Sequence, residues 1–408
     1  MKRFIPLLIA FIFTTLHAGV AQSLQYGDSV EVSLLTCEPG DAVYARFGHT
    51  AIRIRDTNGR DMAYNYGIFD FRTEGFYIKF MRGHTDYLLG VYPTEYFLQE
   101  YRQRGSTVWE QLLNLTENEK RKLIEFLNVN YQPENRMYRY NFVFDNCATR
   151  PKVMIQSSLD GALSYVSAYS RDTYRQLINQ YISDDAWLYL GINLIFGTHS
   201  ERTANQGGAA FLPELLRNDL QNAYIFQNAT DKNPRKLVKQ ITMLEGPFAK
   251  LVTTTPWWMH PWLVFLLWLG WGLVLTFRKN KRSQQSKRFD TVLYVITALA
   301  GMLIFALSFL SEHPMVGGNW NLLWLNPLNL IPAVLIWNPG ARKFMLFYHL
   351  IYLLLILTAC IIIALQLQQV PVVLFPLILL LIIRTARRLR RLITKLVERS
   401  SKGLKWKK

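Results

Sequence analysis

Nucleophilic and acid–base chemistry in this chain rests on three cysteines and seven histidines. Cys360 lies in an apolar run and reads as a polarisable filler. Cys147 follows Asp145 and Asn146, where an alternating segment (138–144) hands over to a helical one ending near Ser157. Unpaired backbone N–H groups and the positive end of a helix dipole gather at such a point. They favour a thiolate and can hold an oxyanion. Asp145 suits a helix cap. Arg150, one turn on, suits help to the thiolate, a phosphate contact or a plain surface charge.

A thiol nucleophile needs a base. His49 opens the alternating segment 50–55, where Ile52 and Ile54 face one way and His49, Arg53 and Arg55 the other. Asn58-Gly59 is a strong hairpin signal leading into 61–66. With Met62, Tyr64 and Tyr66 on the core face, Asn65 falls beside His49 and would orient its ring. A strict two-residue turn would instead put Tyr66 there, so the register stays open. His84, in Arg82-Gly-His-Thr-Asp86, is the rival base. A Cys37–Cys147 disulfide suits an exported domain as well as a free nucleophile does. Neither His pairs at i, i+4 nor paired-Cys spacings occur, so no metal is expected. A Gly-x-Ser-x-Gly elbow and a Gly-rich phosphate loop are also missing, and no cofactor is expected.

The elements that must position these residues form an α+β pattern. Strands are expected at 29–36, 50–55, 61–66, 106–115 and 138–144. Thr116 and Glu119 form a capping box that opens a helix to about Val129. A helix follows Cys147, with Pro151 tolerable in its first turn. From there to about Leu251 the pattern reads as mainly helical.

Composition divides the 408 residues sharply. Mean hydropathy is +0.06 and net charge +17, from 46 Lys+Arg against 29 Asp+Glu. From Arg278 onward there are 19 basic and 3 acidic residues, so the segment 22–260 is near neutral. The high pI therefore gives no argument for a nucleic-acid partner. Lys2 and Arg3 before the apolar stretch 4–13, with Gly19 and Ala21 after it, read as a signal peptide over 1–21. Five candidate membrane spans follow at 261–277, 291–311, 322–337, 344–365 and 370–383. The third holds Pro327 and Pro332 and is expected to be broken or re-entrant. Basic residues crowd the first and third links and the tail from Arg384. The second link, with Glu312 and His313, and the fourth lack them. Five spans with the soluble domain outside satisfy the positive-inside rule. The domains expected are a catalytic core at 22–160, a helical periplasmic subdomain at 161–260, a membrane domain at 261–383 and a basic cytoplasmic tail at 384–408.

Four motifs carry a resemblance. Leu35-Thr-Cys-Glu-Pro-Gly40, Phe47-Gly-His-Thr-Ala-Ile52, Tyr64-Asn-Tyr-Gly67 and Asn141-Phe-Val-Phe-Asp-Asn-Cys-Ala-Thr-Arg150 resemble the exported domain of the Lnb family of bacterial lipoprotein N-acyltransferases. Glu312-His-Pro314 and the run from Asn319 to Leu328 resemble its membrane part. A strand His followed much later by Asn-Cys is similar to circularly permuted papain-like acyltransferases. The resemblance implies a permuted papain-like domain, with Cys147 as nucleophile and His49 as base. Asn65 is the expected third residue. Arg150, His84, Cys37 and His313 are expected on the substrate side. It also implies a phospholipid acyl donor, a diacylated lipoprotein acceptor and a place in the inner-membrane bilayer, with the catalytic domain facing the periplasm. A papain-like cell-wall amidase or peptidase, and a non-enzymatic envelope scaffold, remain as other classes.

Overall fold

The computed structural model describes residues 24–27, 29–69, 72, 74–205, 207–247, 254–278 and 283–405. The expected signal peptide and most of the first basic link lie outside the described residues.

Strands with apolar residues on both faces build the centre of the sheet. β1 (Val30–Cys37), β2 (His49–Asp56) and β3 (Asp61–Ile68) run antiparallel as neighbours. After the short helix α1 (Phe76–Arg82) comes β4 (Asp86–Pro93), which leads directly into α2 (Thr94–Gln103). β5 (Val108–Leu113), α3 (Glu117–Tyr131), β6 (Met137–Arg139) and α4 (Thr149–Ser158) follow. Next are β7 (Ala162–Ser164), α5 (Tyr174–Asn179), α6 (Ala186–Ile195) and α7 (Pro213–Gln221). β8 (Tyr224–Phe226), β9 (Arg235–Lys236) and β10 (Val238–Glu245) complete this part. Seven strands form one sheet in the order β10-β5-β1-β2-β3-β4-β6, and β7-β8-β9 form a small second sheet.

Both faces of the large sheet are covered. Val32, Leu34, Ile52, Ile54, Tyr64 and Tyr66 pack on one face against Leu127 of α3, Ile155 of α4 and Leu216 of α7. On the opposite face Leu35, Ala51 and Ala63 pack under Phe97 and Tyr101 of α2. Apolar burial at this density is the main stabilising term of such a domain.

Two expectations need correcting. The stretch 161–251, read as mainly helical, supplies four strands, and β10 pairs with β5 as an edge of the large sheet. Two register shifts along β10 blur its alternation. The sheet is therefore larger than expected and reaches beyond residue 160. The expected strand 138–144 stops at Arg139. Asn141 then closes a tight turn, its side-chain oxygen accepting the N–H groups of Val143 and Phe144.

The capping box forms as expected: Thr116 Oγ1 accepts the Glu119 N–H, and Glu119 accepts the Thr116 N–H at 2.8 Å. Glu119 is fully buried and also holds Arg235 at 2.6 and 2.7 Å, tying α3 to β9.

The C-terminal region is helical and apolar. α8 (Pro261–Phe277), α9 (Ser283–Leu310), α10 (Leu330–Leu335), α11 (Arg342–Ala364) and α12 (Phe375–Lys405) make it up. Two segments, Gln284–Leu310 and Pro339–Ala364, are long and apolar enough to cross a membrane. The segment expected as a third span is broken into short turns around α10. Asn319, Asn326 and Asn338 each cap a turn with the side-chain oxygen, and Pro327 and Pro339 are the first residues of the latter two. The irregular backbone is thus hydrogen-bonded internally, as a low-dielectric setting requires. The boundary expected at 383/384 is absent, because α12 runs through it. Arg384 turns inward and pairs with buried Asp290 at 2.6 Å.

Replacing Thr116 by Ala removes one cap contact and lowers stability by about 1 kcal/mol. Glu119→Ala leaves Arg235 half-buried and unpaired and frees two further N–H groups, so it costs more, about 2–4 kcal/mol. Urea titration of the full-length protein in detergent measures both, and equal losses would refute this ordering.

Candidate functional site

The hairpin register settles which residue faces His49. Asp56 N–H donates to Arg60 C=O at 2.9 Å, and Ile52 pairs with Tyr64, leaving a three-residue turn, Thr57 to Gly59. Asn65 therefore lies on the His49 face and Tyr66 on the other. His49 Nε2 and Asn65 Oδ1 are 2.5 Å apart. The Asn65 amide nitrogen donates to Tyr92 Oη at 2.7 Å. That contact turns the carbonyl oxygen toward the imidazole, so Nε2 carries the proton and Nδ1 is left as acceptor.

Cys147 reaches the same spot from the start of α4. A Cβ placed on Gly67 would lie 3.5 Å from Cys147 Cβ and 3.7 Å from His49 Cε1. The two side chains thus face each other across a residue with φ of +95°, where only glycine leaves the space without strain. The Thr50 hydroxyl donates to the Cys147 carbonyl and fixes the strand to the helix start.

Burial decides the charge state. It pushes the Cys147 thiol up to about 12, although the backbone N–H groups of Thr50 and Cys147 itself pull the other way. Burial also lowers His49 to about 4, against the Asn65 hydrogen bond, with the nearby positive charge of Arg104 adding to the drop. The resting pair is therefore thiol and neutral imidazole. The preformed thiolate expected at this helix start is absent, because desolvation outweighs the local dipoles.

The helix start differs from expectation in a second way. Asn146, not Asp145, supplies the side-chain acceptor ahead of α4: its oxygen accepts the N–H groups of Ala148 and Thr149, each at 2.9 Å. Those donors are thus not free for an oxyanion. The Thr50 and Cys147 N–H groups, directed at the sulfur, are the donors that remain beside it.

The other expected site residues separate into three places. Cys37 is the cross-strand partner of His49 and lies buried beside the Tyr101 hydroxyl. Both thiols are free, and burial first, then the neighbouring Cys147, raise Cys37. Arg150 is committed elsewhere. It grips Asp145 at 2.6 and 2.8 Å and sits 3.6 Å from the Tyr138 ring centroid, a structural cation–π contact rather than an anion site. His84 and His313 lie at the junction with the apolar helices. His84 Nε2 is 3.1 Å from Glu312, and His313 Nε2 is 2.8 Å from the Phe80 carbonyl. His49, and neither of these two, lines the cleft at the catalytic candidate pair.

The centre opens into a cleft of about 480 Å³ lined by His49, Asn65, Gly67, Phe69, Tyr101 and Arg104. A neighbouring hollow of about 390 Å³ shares Glu38 and Ser106 with it. Tyr92, Tyr101 and Arg104 escaped the sequence reading. Arg104 caps α2 and lies over the rings of Tyr44 and Tyr101 at 5.6 and 5.3 Å. The helical spacing of Phe97, Tyr101 and Arg104 was the available signal. Among the described residues there is no cluster of His, Cys, Asp and Glu able to hold a metal.

A buried Cys–His–Asn constellation thus lies at one end of the antiparallel sheet, in an α+β domain joined to apolar helices. Sequence models of two domains match: the Lnb N-terminal periplasmic domain over residues 22–180 and the Lnb transmembrane domain over residues 253–395. Together they span most of the chain, and the protein belongs to the Lnb family. Neither a curated protein nor a solved structure matches it.

A neutral pair predicts a distinct alkylation profile. Iodoacetamide modification of Cys147, read by peptide mass spectrometry, rises about tenfold per pH unit from pH 7 to 9, following the thiolate fraction. A rate independent of pH across that range would show a preformed ion pair and refute the neutral assignment.

Proposed function

We propose that the protein is a lipoprotein N-acyltransferase of the inner membrane. In this reading it moves an acyl chain from a phospholipid, through a thioester on Cys147, to the α-amine of a lipoprotein's lipidated N-terminal cysteine. The exported domain is permuted papain-like and faces the periplasm, and the apolar helices make five crossings. The observation that carries the proposal is the facing of Cys147 and His49 across Gly67, with Asn65 holding the ring. Family membership supports the acyl-transfer chemistry.

The first half-reaction makes the thioester. As Cys147 Sγ attacks the ester carbonyl, its proton passes to His49 Nδ1. The N–H groups of Thr50 and Cys147 stabilise the oxyanion of the tetrahedral adduct. Collapse breaks the C–O bond, and His49 returns the proton to the leaving lyso-phospholipid oxygen. In the second half the α-amine attacks the thioester carbonyl and loses a proton to His49. Breaking the C–S bond then releases the amide, and that proton restores the thiol. Both substrates are anchored in the bilayer, so a catalytic domain held beside it meets them at high effective concentration.

Cys147→Ala leaves substrate lipoproteins with two acyl chains instead of three, seen by mass spectrometry of their N-terminal peptides in cells lacking any other such transferase. Triacylated product in that strain would sink the proposal. His49→Ala gives the same loss. The pH profile supplies a further check, since the base must be unprotonated and its pKa is depressed to about 4. Thioester formation, followed without acceptor so that titration of its α-amine does not enter, therefore stays level from pH 8 down to about 5 and falls only near pH 4. A drop centred near 6.5, the ordinary imidazole value, would contradict the buried neutral base.

A further inference from the structure

The helix α1 carries an outward face that water should not favour. Tyr77 is 72%, Ile78 62%, Phe80 50% and Met81 49% exposed, while Phe76 is buried beneath them. Four large exposed side chains on one short helix form a contiguous apolar patch of the kind that marks an interaction surface. Lys79 and Arg82 stand on the same helix, three residues apart, and are also exposed.

The position of this helix says what covers it. Glu312 N–H donates to the Arg82 carbonyl at 2.9 Å, and His313 reaches the Phe80 carbonyl at 2.8 Å. Both residues follow the end of α9, whose Phe309 and Leu310 are 65% and 63% exposed. The α1 patch therefore continues the exposed apolar surface at the end of α9. Trp257 and Trp258, exposed just before α8, belong to the same level. α8 and α9 are joined at their far ends by the short basic link 278–282, so the start of α8 and the end of α9 share a side. Paired tryptophans at that level suit the headgroup zone.

A row of rings connects this helix with the catalytic cleft. Phe69 lines the cleft and stacks on Phe76 at 5.9 Å. Phe76 stacks on Phe80 at 6.1 Å, and Phe80 meets the His313 ring at 6.0 Å.

We propose that α1 is seated in the periplasmic leaflet of the bilayer, its apolar face among acyl chains and Lys79 and Arg82 among anionic headgroups. The ring row Phe80–Phe76–Phe69 then guides an acyl chain from that leaflet to the cleft. The guiding role rests on the acyltransferase reading; the seating of α1 does not.

Quenching by labelled lipid tests the seating without any reaction. The full-length chain, with its three native cysteines changed to Ser, carries either Ile78→Cys or Asn58→Cys, labelled with nitrobenzoxadiazole. Asn58 lies in the exposed β2–β3 turn. In vesicles of phosphatidylethanolamine and phosphatidylglycerol, doxyl-labelled phospholipid quenches the label at 78 and spares the one at 58. Equal and weak quenching at both overturns the seating. A second measurement keeps every native cysteine. Ile78→Glu with Met81→Glu raises the apparent KM for vesicle phospholipid about tenfold while kcat holds. A fall in kcat at unchanged KM would assign α1 a purely structural role and overturn the proposal. If the transfer reaction itself is absent, the quenching result still stands on its own.

Discussion

The hydrogen bond from His49 to Asn65 crosses from β2 to β3, so it exists in one strand register alone. A slip of one residue would send Asn65 to the opposite face and bring Tyr66 beside the imidazole. The three-residue turn Thr57 to Gly59 and the apolar set Ile52, Ile54, Met62 and Tyr64 together forbid that slip. Each core side chain thus contributes to the site without touching it. Tyr92, one strand further out, adds the last constraint by fixing which end of the Asn65 amide meets the ring.

The price of burying this centre is that neither partner is charged at rest. Desolvation raises the thiol and lowers the imidazole, and both effects favour the neutral forms. Exposed or cation-flanked cysteines take the other route and hold a standing thiolate. In the proposed reaction the proton moves only as the sulfur attacks, which makes the orientation of Nδ1 more important than any pKa.

Much of the site was legible because its signals were local. The alternation in 30–37 and 49–68, the Asn58-Gly59 turn, the Thr116–Glu119 capping box and the helix that follows Cys147 all lie within short windows. What stayed hidden depended on contacts between distant segments. β10 joins β5 from well over a hundred residues away, and its bulges erase the period that would have revealed it. His84 sits in a motif that looked catalytic, yet its partner is Glu312, on the link after α9. Arg150 looked free until the turn at Asn141 carried Asp145 and Tyr138 up to it. The Cys147 thiol illustrates the same limit: sequence shows the helix dipole, while only packing shows the desolvation that overrides it.

The exported domain is fixed to the apolar helices at two separated places. One is α1, held by Glu312 and His313. The other is α6, whose Leu190 is buried in the helical core and whose last carbonyls, Leu194 and Ile195, accept from Asn319 at 2.9 and 3.0 Å. Gln368, on the link before α12, reaches the adjoining Phe196 carbonyl at 3.3 Å. A single attachment would let the domain swing about it, and the cleft would meet lipid at many heights. Two attachments, made largely by backbone carbonyls that need partners in any case, remove that rotation at little entropic cost. Polar residues inside the apolar region follow the same logic: Asn329 holds Thr297, Tyr348 and Tyr352, and Asp290 holds Arg384 and Arg388. Rigidity in the membrane helices therefore reaches the cleft through hydrogen bonds at both docking points. With α1 seated as proposed, the distance between leaflet and sulfur becomes a property of the fold rather than of chance encounter.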